Sequence, residues 1–122
     1  MIAGHVYVVH TVLARPPKDK LILCICSAES LCFWINTNSQ RHGLGQFALT
    51  AADHGALTRD CFLDCSRVTT FSQQELNAAQ HRGAISVALA KRIVEFLEKD
   101  PPKTLPPRFV NLAVDNLAAL FR

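Results

Sequence analysis

The residues best suited to chemistry in this chain are cations gathered about a proline-rich turn. Arg15, Lys18 and Lys20 fall in the stretch Arg15-Pro-Pro-Lys-Asp-Lys20, and Thr37 follows the next hairpin. A cation and a hydroxyl brought together can stabilise charge developing on the oxygens of a reacting phosphate. Proton transfer would then fall to His54, His10 or Asp64, imidazole being poised near neutral pH. The bland alternative is that the lysines are solvated turn charges and Thr37 caps a loop. A second set is Asp64, Ser66 and Arg67, in the run Cys61-Phe-Leu-Asp-Cys-Ser-Arg67. Asp64 and Ser66 are two apart, so in a strand they share a face. A structural salt bridge is the plainer reading of Asp64 with Arg67.

Between these sets runs a polar segment, Asn36 to Gln46, with four side-chain amides, a His, an Arg and two glycines. A loop of this length usually has a role, and Asn36, Asn38 and Arg41 are its candidate contacts to an anionic polymer. The five cysteines, Cys24, Cys26, Cys32, Cys61 and Cys65, are an odd set that argues for reduced thiols. Each of the pairs Cys24/Cys26 and Cys61/Cys65 would place both thiols on one strand face. A structural zinc site prefers such spacings in a turn, and free Cys is among the most buried residue types. Core packing is the expectation, with no metal and no cofactor.

The elements that must position these groups follow from pattern. Val6–Leu13 is rich in β-branched residues and reads as a first strand. The two prolines after Arg15 make a turn. Lys20–Cys26 is apolar on both faces, as in a strand covered on both sides. Leu31–Ile35 completes a hairpin with it, and one of Phe33 and Trp34 must face outward, where it could stack on a base. Phe47–Thr50 is a short strand, the segment 52–59 a turn or one helical turn, and 61–70 a last long strand kinked near Cys65. Ser72-Gln-Gln-Glu75 is a capping box that opens a short helix ending before Gly83. Ser86 caps a longer helix with Leu89, Ile93, Phe96 and Leu97 on one stripe, stopped by Pro101-Pro102. A final helix over Arg108–Phe121 carries Val110, Val114, Leu117 and Phe121 on a face that must dock on its own barrel or on a second copy.

At 122 residues with 49% hydrophobic content, the chain has the size and composition of one packed domain. A balance of 13 Lys+Arg against 10 Asp+Glu permits an anionic partner without announcing one, so any such site must be a local patch. The first residues lack a basic, then apolar, secretory pattern, and no run approaches the roughly 18 apolar residues of a membrane span. A cytoplasmic location and no membrane partner are the expectation.

The order of these elements, strand, turn, apolar hairpin, polar loop, strand and helices, is that of a small SH3-like β-barrel with C-terminal helices. Gly4-His-Val-Tyr-Val8, the Pro-x-x-x-Lys-Leu-Ile-Leu-Cys-Ile run and Arg67-Val-Thr-Thr-Phe-Ser72 resemble the opening strand, second strand and barrel exit of PemK/MazF-type toxins. The resemblance implies an α+β, mainly β fold, a barrel over about 4–71 and a helical part over about 72–122. It implies a homodimer that cuts single-stranded RNA without a metal, by attack of a ribose 2′-hydroxyl, and that an antitoxin protein silences. The family's catalytic arginine falls on Lys20, its catalytic threonine on Thr37, and an acidic residue of some members on Ser66, with Asp64 alongside. Lys in place of Arg gives a point charge instead of a planar, bidentate grip. A protein that keeps the barrel without cutting, binding RNA or a partner's tail, is the alternative.

Overall fold

The computed structural model describes residues 1–122. Its centre is one antiparallel sheet of six strands: β1 (His5–Thr11), β2 (Lys18–Cys26), β3 (Leu31–Asn36), β4 (Gln46–Leu49), β5 (Cys61–Thr69) and β6 (Gln80–Ala84). The order across the sheet is β4-β5-β3-β2-β1-β6. The fold is therefore α+β and mainly β. The ladder is open, with β4 and β6 as its edges, but the turn after β4 reaches across the gap. The Nε2–H of His54 donates to the Gly83 carbonyl on β6 at 3.2 Å, and its Nδ1 accepts from the Ala56 N–H at 3.0 Å.

Strand alternation divides the sheet into two apolar faces. Leu23, Ile25, Phe33, Ile35, Leu63 and Phe47 face the larger core, which α2 (Val87–Lys99) and α3 (Pro107–Ala118) cover with Leu89, Ile93, Leu97, Val110 and Leu117. Tyr7, Val9, Ile22, Cys24 and Cys32 face the other way and meet Phe71 and Leu76, beside the short helix α1 (Gln73–Asn77). This explains why β2 is apolar on both sides. The helix caps expected from sequence form as drawn. Ser72 Oγ accepts the Glu75 N–H at 3.1 Å while Glu75 accepts the Ser72 N–H at 3.0 Å, and Ser86 Oγ accepts the Leu89 N–H at 3.0 Å.

Three details depart from the sequence reading. The part after Ser72 is not helical throughout, because Gln80–Ala84 forms β6. Nothing apolar alternates in Gln-His-Arg-Gly-Ala, and it is extended because β1 offers a free edge to pair with. Cys24 and Cys26 lie on opposite faces, since an irregularity in the β2–β3 pairing between them flips the alternation. The stripe of α3 is spent inside the chain, with Leu117 wholly buried and Val110 nearly so, which removes the stripe as a reason for a second copy.

Candidate functional site

On the face that carries Ile22 and Cys32, the apolar cluster ends toward the start of β2, and a cleft of about 440 Å³ opens there. Its floor is Lys20, Trp34 and Asn36, which alternation places on one face of β2 and β3. One wall is the β1–β2 loop, with Leu13, Ala14 and Arg15, followed by Lys18. The opposite wall is Arg67 and Thr69 of β5, and Gln40 of the polar loop closes the rim. A break in the β3–β5 register brings β5 into place. Trp34 pairs with Asp64 but Cys32 pairs with Thr69, so β5 bulges through Cys65–Val68. The bulge presents Arg67 and Thr69 beside Trp34. The loop wall is held from outside by Glu75 of α1, whose second carboxylate oxygen accepts the Val12 N–H at 3.3 Å.

Four cations and no carboxylate line this cleft. The arginine ion pairs of the molecule lie elsewhere: Arg92–Asp53 at 2.7 Å, Arg108–Glu29 at 2.6 Å and Arg122–Glu98 at 4.0 Å all involve α2, α3 or the C-terminus. Lys20 is half-buried. Its ammonium donates to the Asn36 side-chain oxygen at 2.9 Å and lies 5.3 Å from the centre of the Trp34 ring. Both partners are neutral. Burial, and then the nearby Lys18 charge, pull the Lys20 amine below its ordinary pKa. Trp34 is fixed in turn: its indole N–H donates to the Thr69 hydroxyl, and Phe71 lies tilted at 6.0 Å. With Lys20 and Phe71 both against it, Trp34 is a fixed part of the cleft floor and not a free platform for a base.

Of the residues singled out by sequence, Lys20, Arg15, Lys18, Asn36 and Arg67 meet in this cleft. The others do not. Thr37 follows Asn36 but lines a separate small depression with Thr58 and Arg59. Asn38 and Arg41 are exposed on the loop outside the cleft lining. Asp64 lies opposite Trp34 yet is buried, its Oδ1 accepting from Gln46 Nε2 at 2.8 Å and from the Ser66 N–H at 3.0 Å. Ser66 is buried too and gives its hydroxyl to the same carboxylate. Asp64 thus pairs with polar groups instead of Arg67. His54 borders the interior apolar space and bridges to β6, while His10 is exposed and bonded to Asp19 at 2.8 Å. Sequence reasoning offered Trp34 only as one of two aromatics that could face outward, and did not enlist Thr69 or Gln40. Thr69 carried a signal, as a hydroxyl two positions from Arg67 on the same strand.

No family model matches this chain, and no curated protein matches it.

Proposed function

We propose that this protein takes a single strand of RNA in the cleft and acts on it as a PemK/MazF-like endoribonuclease. The observation that carries the reading is the segregation of charge. Arg15, Lys18, Lys20 and Arg67 converge on one groove with no carboxylate among its lining residues. Such a groove gains by giving its uncompensated cations to phosphates and releasing counterions. The floor is polar and cationic, and its one aromatic ring already carries the Lys20 ammonium, so the contacts favour the sugar–phosphate backbone over the bases. On this reading the curved sheet is a divergent SH3-like barrel whose open seam is bridged by the His54 contact to Gly83.

In the reaction, the 2′-hydroxyl gives its proton to solvent as its oxygen attacks the adjacent phosphorus and the bond to the 5′-oxygen breaks, leaving a 2′,3′-cyclic phosphate and a 5′-hydroxyl. The Lys20 ammonium, held on neutral partners, stabilises the oxygens of the phosphorane. Its lowered pKa also suits it to pass a proton to the departing 5′-oxygen. The partners that go with this reading are a second copy of the chain and an antitoxin segment competing for the groove, and its location is cytoplasmic.

A second reading, an RNA-binding module that does not cut, has one observation in its favour. Asp64, Ser66 and His54 are each engaged away from the cleft, so none of them stands beside Lys20 to accept the 2′ proton. One experiment separates the two. A labelled single-stranded RNA is incubated with purified protein and a chelator, and products are resolved with their end groups. Cyclic phosphate ends that vanish with Lys20→Ala support cutting. Salt-sensitive binding with intact RNA supports the module, and neither binding nor cutting overturns both.

A further inference from the structure

We infer that Asn36 is a positioning residue: its side-chain carbonyl aims the Lys20 ammonium into the cleft without neutralising it. The inference rests on the cleft reading above and refines it, because Asn36 then acts through Lys20 instead of touching RNA itself.

The geometry is local and fully polar. Leu21 pairs with Ile35, so Lys20 and Asn36 fall side by side on the cleft face of β2 and β3. Lys20 Nζ donates to Asn36 Oδ1 at 2.9 Å, and this is the only hydrogen bond the ammonium makes within the chain. An ammonium has three donors, so the rest remain for a ligand. Trp34 supports the lysine from its ring face and leaves it charged as well. A long, flexible side chain would otherwise sample many rotamers, and a fixed one loses less freedom when phosphate arrives. The residue type matters as much as the bond. A carboxylate at position 36 would hold the lysine in the same place but cancel the charge the cleft presents. Asn has the shape of Asp and none of its charge. The nearest carboxylate across the ladder, Asp64, follows the same logic from the other side: Gln46 and Ser66 occupy it instead of a cation.

The test has two arms. In the first, Lys20 is labelled at Cε and its amine titrated by NMR in the full-length protein without RNA. Asn36→Asp should raise the Lys20 pKa relative to wild type, and an unchanged titration would overturn the inference whether or not RNA binds. In the second, affinity for a labelled single-stranded RNA is measured for wild type, Asn36→Ala, Lys20→Ala and the double variant. Asn36→Ala alone should weaken binding about three- to ten-fold, in keeping with the net worth of one ordinary hydrogen bond. In the Lys20→Ala background it should add almost nothing. Additive losses would show that Asn36 contacts RNA directly and would refute the positioning role. No RNA binding by wild type would instead sink the cleft reading, with the Lys20 titration still deciding what Asn36 does.

Discussion

The charge pattern of the cleft sets a quantitative expectation for how binding responds to salt. If Arg15, Lys18, Lys20 and Arg67 each meet one phosphate of a single strand, log affinity should fall with log salt at a slope of about −2.8, at roughly 0.7 per phosphate. Raising salt from about 50 to 200 mM should then cost about 50-fold in affinity. Removing one cation, by Lys20→Ala or Arg67→Ala, should bring the slope to about −2.1 and the salt effect to about 20-fold. Lys99 is an exposed cation at the end of α2, outside the cleft, and supplies the control. Lys99→Ala should leave the slope where it was. Fluorescence anisotropy of an end-labelled RNA of about a dozen nucleotides, titrated at four salt concentrations, reads all of these. Circular dichroism of each variant ensures that a change in slope is not a change in fold. A slope near zero would refute the argument, and so would one that Lys99→Ala lowers as much as Lys20→Ala.

Gly45→Ala should destabilise the fold by about 1–3 kcal/mol and disturb the cleft rim, read by urea denaturation and by RNA affinity. Gly45 has φ +67°, and a Cβ there would come within 2.8 Å of the Ser66 backbone nitrogen, at the β5 bulge. Phe33→Ala should cost about 3–5 kcal/mol by the same assay, since Phe33 is wholly buried in the main core. Burial pushes the Asp53 carboxyl up, but the Thr50 N–H and the Arg92 guanidinium outweigh it and hold its pKa below the usual carboxylate range. Folding stability from this group is therefore present above a pH of about 4 and lost as pH falls through the lowered value. Asp53→Asn should lower stability by no more than about 1 kcal/mol at neutral pH, with the gap closing in acid; a gap constant with pH would count against the assignment. Replacing all five cysteines with serine should lower the urea midpoint through lost packing while the remaining folded protein keeps its RNA affinity, as every one of them is buried outside the cleft lining.

Much of this architecture is legible in the residues because its determinants are local. Pro16-Pro17 keep the stretch before β2 out of the ladder, Ser72 and Ser86 announce their helices through side-chain oxygens, and the two-sided apolar run of β2 requires cover on both faces. What escapes the reading depends on pairing between distant segments. Strand β6 carries no pattern of its own and exists because β1 has an edge to offer. The split of Cys24 from Cys26 depends on an irregularity that period-two alternation does not contain. His54 illustrates the same point for function, since its value as a base near neutral pH says nothing of the Gly83 carbonyl that it meets.

The site shows how residue types and their placement separate. Lys20, Lys18 and Arg15 are close in sequence, so their meeting needs only a turn, whereas Arg67 arrives from β5 and reaches the same groove through the bulge at Cys65–Val68. Asp64 is the decisive contrast. By alternation it shares the face of Trp34, and a carboxylate left free there would neutralise Lys20 or Arg67 and weaken any hold on phosphate. Gln46 and Ser66 prevent this by bonding the carboxylate outside the cleft lining, at a buried position where an unpartnered charge would be costly. Two neutral residues, Asn36 beside the lysine of β2 and Gln46 on the aspartate of β5, thus give the cation and the anion on either side of β3 uncharged partners. The cleft keeps its charge because amides stand where opposite charges would otherwise have met.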